Sequence, residues 1–250
     1  MNTVGSRLSD LDTPILWVDL DVLERNIPYL ASYFEAAGVS WRPHTKGIKV
    51  PAIAHQALAA GAIGVTCAKL GEAEVMAAAG ISDILIANQI VGATKATRLA
   101  NLNRYADVKA AVDNPANVAE LAAAAREKGV EIPVVVEVEI GMHRAGVAPG
   151  QPVLALARSV HDTPGLRFEG LMAWEGHARG ESDLEKRKPV IKEATGLLID
   201  SAEQCRAAGL PVNIVSAGGT GTFYVTAFQQ GVTEIQAGGA IFGDVASQSW

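Results

Sequence analysis

His44, Lys46 and Lys49 fall close together in Trp41-Arg-Pro-His-Thr-Lys-Gly-Ile-Lys49. Neighbouring positive charge and burial both disfavour a protonated amine, so Lys46 in this company is set up for a lowered pKa. A neutral amine can form an imine with an aldehyde. Two distant stretches offer a different chemistry. Ser216-Ala-Gly-Gly-Thr-Gly-Thr222 and Gly238-Gly-Ala-Ile-Phe-Gly243 are built from small residues whose backbone N–H groups can come close to an anion, and Thr220 and Thr222 add hydroxyl donors. Taken singly, each feature has a plainer reading: a solvated loop lysine, or glycines that make tight turns.

The surrounding elements decide whether these groups can meet. Eight short apolar runs read as strands, over Val39–Trp41, Gly64–Ala68, Asp83–Ala87, Val108–Val112, Pro133–Val138, Arg167–Ala173, Val212–Ser216 and Glu234–Ala237. They are near-continuous apolar runs, as expected of strands covered on both faces. Helical stretches alternate with them, over Pro51–Ala60, Gly71–Ala79, Ala93–Asn101, Pro115–Lys128, Gln151–Val160 and Asp183–Ala208, with a shorter one at Thr222–Gln229. This alternation predicts an α/β fold, a (β/α)8 TIM-type barrel; the competing architecture, an open doubly wound sheet, lacks a dinucleotide fingerprint in its first βα unit. Residues 1–12 read as an N-terminal arm and 13–250 as one barrel domain. Pro14–Asp19 reads as a further strand. The helix Leu23–Ala36 precedes the first barrel strand and is expected to fill the slot after the eighth. In such a barrel chemistry sits at the C-terminal mouth, and the loops after strands seven and eight are the usual phosphate seat. Lys46 then faces Ser216, Gly218, Gly219, Thr220, Gly221, Thr222, Gly238 and Gly239 across that mouth. A phosphorylated aldehyde suits both sides, and pyridoxal 5′-phosphate fits.

Four more side chains are expected at the mouth. Arg144, just past the fifth strand, could meet the cofactor's phenolate oxygen with its planar fork; the plain alternative pairs it with Glu139. Trp174 could cover the pyridine face, or simply pack. His177 could act as a base near neutral pH, or make a structural hydrogen bond. Gln236 could face the pyridine nitrogen.

Composition excludes other classes. With 27 acidic and 21 basic residues the net charge is −6, which argues against a nucleic-acid partner. Glu185-Lys-Arg-Lys188, the densest basic run, carries its own acid and reads as a solvated helix face. Cys67 and Cys205 are far apart and read as free core thiols in a reducing, cytoplasmic compartment, with no zinc-binding spacing. Met1–Asp12 has no apolar segment of a secretory leader, and no run of 18 apolar residues predicts a membrane span.

Arg42-Pro-His-Thr-Lys46, Cys67-Ala-Lys-Leu-Gly-Glu-Ala73, Gly141-Met-His-Arg-Ala-Gly146, Gly170-Leu-Met-Ala-Trp-Glu-Gly-His177, Gly218-Gly-Thr-Gly-Thr222 and Gln236-Ala-Gly238 together resemble the D-threonine aldolase and D-serine dehydratase group. That group lies within the alanine-racemase-like, fold-type III pyridoxal-phosphate enzymes, and the resemblance runs from about Thr13 to Asp244. It implies that Lys46 holds the cofactor, that Arg144 contacts its phenolate, and that the Gly218–Thr222 and Gly238–Gly239 backbones seat its phosphate. Three departures stand out. Trp174 replaces a usual tyrosine. Gly239-Ala240 replaces a usual Ser-Tyr. The family's C-terminal β-domain, which carries a divalent-metal site (Mn, Mg or Zn) and builds the active site across a dimer, is expected to be absent from this chain; no metal ligands are identified here. The expected activity is that of a lyase on D-β-hydroxy amino acids, by retro-aldol cleavage to glycine and an aldehyde or by D-serine-type β-elimination. The alternative is a barrel-only pyridoxal-phosphate binding or homeostasis protein without turnover.

Overall fold

The computed structural model describes residues 4–47 and 49–243. Eight strands alternate with helices: α1 Leu20–Ala37, β1 Ser40–Trp41, α2 Pro51–Ala59, β2 Val65–Cys67, α3 Leu70–Ala78, β3 Asp83–Gln89, α4 Ala93–Leu102, β4 Asp107–Val112, α5 Pro115–Lys128, β5 Ile132–Val138, α6 Gln151–His161, β6 Leu166–Ala173, α7 Leu184–Ala207, β7 Ile214–Ala217, α8 Phe223–Thr226 and β8 Glu234–Ile235. Local chemistry sets the helix ends. The Asp19 carboxylate accepts from the Val22 N–H at 3.2 Å to start α1, and Gly38, at φ 73°, ends it. Asn114 caps α5 in the same way, with Pro115 in its first turn.

All strand pairs are parallel, in the order β1-β8-β7-β6-β5-β4-β3-β2. The sheet curls until its two ends meet. There Ile63 N–H donates to Trp41 C=O and Thr66 N–H to Pro43 C=O, each at 2.9 Å. The result is the (β/α)8 barrel that the strand count predicts. Leu85, Ala111, Val135, Met172 and Ile214 fill its interior, and a larger apolar layer lies between strands and helices. Leu23, Ile27, Leu30 and Phe34 of α1 pack on Trp41, Ile235 and Ala237, so the leading helix closes the ring where a helix after β8 would stand. Asn26 fixes it there by donating to Ile241 C=O at 3.0 Å.

Two expectations on secondary structure fail. Pro14–Asp19 is not a strand: Ile15, Leu16 and Trp17 are exposed, and among the described residues no edge pairs with them. An apolar run becomes a strand only when a neighbour accepts its backbone bonds. The helix expected over Thr222–Gln229 shrinks to the single turn of α8.

Charged residues close the base of the barrel. Arg42 Nε donates to both oxygens of Glu234 at 3.1 Å, and its Nη1 donates to Asp83 at 2.5 Å. Lys109 bridges Asp83 and Asp107, at 2.8 and 2.5 Å. A Cβ on Gly64 would stand 2.6 Å from Arg42 Nη1 and 2.4 Å from the Asp83 carbonyl, so only glycine leaves room for the guanidinium. Arg42 and Glu234 are both buried, and the hydration they give up is replaced by Arg42 for Glu234 and by Glu234 and Asp83 for Arg42. Arg42→Leu is therefore expected to lower the unfolding free energy by about 3–5 kcal/mol, because it strands the Glu234 carboxylate. The double change Arg42→Leu, Glu234→Leu should recover much of that. Equal losses in urea titrations of the single and double variants would contradict the account.

Candidate active site

A cavity of about 570 Å³ opens at the C-terminal ends of the strands. Lys46 reaches it because the ladder runs through Pro43 to His44, whose N–H donates to Gln236 C=O at 3.0 Å, and a single 3-10 turn, Thr45–Gly47, follows. That turn is pinned from below. Thr45 Oγ1 donates to Thr66 C=O at 3.1 Å, and Lys46 N–H donates to His44 Nδ1 at 3.3 Å. The Lys46 side chain is exposed to the open cavity, yet protein surrounds its amine on the other sides. Partial burial lowers its pKa, and the guanidiniums of Arg144 and Arg179 lower it further against the opposing pull of Glu72. Burial and the charges of Lys46 and Arg144 push His44 down to about 3, so its imidazole is neutral and can accept from the Lys46 amide.

Arg144 sits in the tight turn after β5. Glu139 organises that turn by accepting from the N–H groups of Gly141 at 2.7 Å and His143 at 2.9 Å, with His143 at φ 50°. The acid that meets Arg144 is a different one, Glu137, at 3.4 Å. Gln89 Nε2 donates to the other Glu137 oxygen at 2.5 Å. Burial raises the Glu137 carboxyl above its usual range although Gln89 and Arg144 both oppose it.

The two glycine loops face Lys46 as the sequence predicts. Gly219 C=O accepts from Thr222 N–H and Phe223 N–H, at 3.0 and 2.9 Å, and Thr222 Oγ1 accepts from Gly219 N–H at 3.0 Å. Beneath them the buried Glu175 accepts from Thr226 Oγ1 at 2.5 Å and from Gly218 N–H at 3.4 Å. Ala240 N–H donates to Thr220 Oγ1 at 3.0 Å and ties the loops together. Among the described residues nothing accepts from the N–H groups of Thr220, Gly221, Gly238 and Gly239. Four unpaired donors on two adjoining loops that line a cavity form a cradle for a multivalent oxyanion. Two glycines are fixed by close approach: a Cβ on Gly219 would lie 2.3 Å from the Trp174 indole, and one on Gly238 would lie 2.1 Å from the His44 carbonyl oxygen.

Lys46, Arg144, Trp174, Gly218, Gly219, Thr220, Gly221, Gln236, Gly238 and Gly239 thus share the cavity wall. Ser216 and Thr222 are buried one layer behind it, Ser216 accepting from Gln236 Nε2 at 2.9 Å. His177 is not on the wall: the 3-10 turn Gly176–Gly180 folds it against Gly141, where its Nδ1 is buried without a partner. Sequence reasoning missed Arg179, Gln89, Asn88 and Glu137, which also line the cavity. Glu137 was legible from strand alternation, since its neighbour two residues back, Val135, faces the barrel interior. The basic run Glu185–Lys188 is not wholly a solvated face either, because Arg187 turns inward and is 1% exposed. Among the described residues no group of three or more His, Cys, Asp or Glu side chains is placed to hold a metal.

Fold and site together define a closed parallel α/β barrel whose cavity at the C-terminal mouth sets a lysine amine opposite unpaired backbone N–H groups. The chain belongs to the family described as "Alanine racemase, N-terminal domain", which it matches over residues 18–246. It is 37% identical to a D-threonine aldolase of Arthrobacter sp. over 98% of this chain and 65% of that one. The crystal structure of D-threonine aldolase from Filomicrobium marinum superposes with a TM-score of 0.94 at 38% identity, covering 97% of this chain and 65% of that one. D-threo-3-hydroxyaspartate dehydratase from Delftia sp. HT23 superposes with a TM-score of 0.87 at 36% identity, covering 94% and 62%. The chain therefore spans somewhat under two thirds of the length of these relatives.

The cationic surroundings of Lys46 carry their own test. Acylation by an amine-selective reagent, mapped to Lys46 by peptide mass, should reach half its maximal rate below the ordinary lysine range. Arg144→Gln should move that midpoint upward, because it removes a charge that disfavours the protonated amine. An unchanged midpoint would show that Arg144 does not act on Lys46.

Proposed function

We propose that the protein is a pyridoxal 5′-phosphate-dependent lyase acting on D-β-hydroxy amino acids, by retro-aldol cleavage to glycine and an aldehyde or by β-elimination of the hydroxyl. The observation that carries this is the opposition of one lysine amine to four unpaired backbone donors within a single cavity. A small ring with an aldehyde on one side and a phosphate on the other matches that arrangement. Lys46 would hold the aldehyde carbon, the N–H groups of Thr220, Gly221, Gly238 and Gly239 the phosphate, Arg144 the phenolate oxygen and Gln236 the ring nitrogen. When bound, the cofactor supplies an electron sink for the pair left on Cα when the Cα–Cβ bond (cleavage) or the Cα–H bond (elimination) breaks.

The chain's own residues supply position and charge. Lys46, with its protonated form disfavoured, can take up a proton at Nζ once the substrate amine has displaced it. Glu137 holds Arg144 at the rim, and Trp174 packs against Gly219 in the cavity wall. His177 is given no step, because its ring stands behind Gly141. The resemblance also implies a divalent metal, but no step is routed through it, because among the described residues no ligand set is placed to hold one. The substrates named for the relatives, D-threonine and D-threo-3-hydroxyaspartate, support the substrate class. The same reading takes the protein as a cytoplasmic homodimer, which the family resemblance and the two buried free thiols support.

Spectroscopy and product analysis test it. With the cofactor added, a near-visible absorbance band is expected that borohydride abolishes and that Lys46→Ala lacks; no band in the wild-type protein would sink the assignment. D-Threonine with manganese should then yield glycine and acetaldehyde. Ammonia and 2-oxobutanoate instead would mark elimination, and a band without products would favour a binding protein over an enzyme.

A further inference from the structure

Neither glycine loop contains a Lys, Arg or His. Their N–H groups are dipoles, whereas a phosphate at neutral pH carries close to two negative charges. Two arginines make up the difference at a single residue of the cradle. Arg179, from the 3-10 turn after β6, lines the cavity and lies along Gly221: a Cβ there would stand 3.1 Å from Arg179 Cγ and Cδ and 3.4 Å from its Nε. Arg187, from the first turn of α7, approaches the same residue from the interior. Its Nη1 donates to Gly221 C=O at 3.5 Å and its Nε to Glu181 C=O at 2.8 Å.

Arg187 is the unusual member. It is among the largest fully buried side chains, yet among the described residues no carboxylate pairs with it. Carbonyl dipoles alone compensate a buried guanidinium poorly, and buried charges are ordinarily matched by an opposite one. The site for that opposite charge is the cradle on the other side of Gly221. Arg187 also holds the Gly221 carbonyl, fixing the loop that carries the unpaired Thr220 and Gly221 N–H groups.

We propose that Arg179 and Arg187 clamp Gly221 between them and form a dicationic seat for a dianionic phosphate. Arg179 is the binding residue that contacts the anion from the cavity side, and Arg187 is a positioning residue that neutralises it from behind through the Gly221 peptide. The inference rests on the cofactor reading only for the identity of the anion, since a phosphate monoester and inorganic phosphate present the same chemistry.

The test uses the apo form of the full chain and three probes: inorganic phosphate, pyridoxal 5′-phosphate and pyridoxal, which has no phosphate. Arg179→Gln should weaken inorganic phosphate and pyridoxal 5′-phosphate by at least roughly tenfold, the loss of one charged hydrogen bond, and leave pyridoxal within about twofold. Arg187→Met should show the same phosphate-selective loss, and Arg187→Lys, which restores the charge, should recover part of it. A merely structural role would weaken pyridoxal equally. Should Arg187→Met fail to fold, Arg179→Gln and Arg187→Lys decide the matter. Phosphate affinity unchanged in Arg179→Gln, or lost together with pyridoxal affinity, overturns the proposal. Arginine-dependent binding of inorganic phosphate without a borohydride-sensitive band would leave the seat standing and sink the cofactor reading. A band with no dependence on either arginine would do the reverse.

Discussion

The pair formed by Arg42 and Glu234 ties together the two strands on which the rest of the site depends. The joint between β1 and β2 is the thinnest in the ring, made among the described residues by two backbone hydrogen bonds, and β1 itself is two residues long. Arg42 reinforces it from inside by reaching β8 through Glu234 and β3 through Asp83. Two residues further along the same strands stand His44 and Gln236, and His44 N–H donates to Gln236 C=O at 3.0 Å. Beyond them Gly238 lies against the His44 peptide so closely that no side chain fits. A charge pair at the base and a glycine at the rim thus fix both ends of the strand pair that carries Lys46 on one side and half of the anion cradle on the other.

Charge in the cavity is arranged by how completely each group is desolvated. Glu137 is buried and spends its two oxygens on Gln89 and Arg144, so it restrains the arginine rather than Lys46. Glu72, also buried, is held by the Ala68 N–H at 2.7 Å and is the acid that most directly opposes the lowering of the Lys46 pKa. Burial and the two guanidiniums together outweigh the pull of Glu72 on Lys46. Beyond burial, the same surplus of positive charge disfavours the protonated amine and suits the wall to an anion.

Most of the frame was legible because strands such as Val134-Val-Val136 and Ile84-Leu-Ile86 announce themselves by burial on both faces. Loop length then placed Lys46 and the glycines at one end of the barrel. The failures share a cause. Pro14–Asp19 has the composition of a strand but no neighbour to pair with. His177 and Arg179 are two residues apart, and one 3-10 turn sends the first behind Gly141 and the second into the cavity. Arg187 looks solvated in sequence because three of the four residues around it are charged; its helix phase turns it inward. Periodicity reports which face of a regular element is buried, and it says nothing about single turns or about which member of a charged cluster faces in.

Cys67 shows what this packing does to competing nucleophiles. It stands at the end of β2, its sulfur 3.6 Å from the Thr45 hydroxyl in the very turn that presents Lys46. A thiolate there would be the stronger rival for any carbonyl compound and the first target of an oxidant. Burial pushes the thiol up to about 11, and the sulfur lies outside the cavity wall. Burial thus favours the protonated sulfur and disfavours the protonated amine beside it. Sulfhydryl reagents should therefore find little purchase on the folded chain.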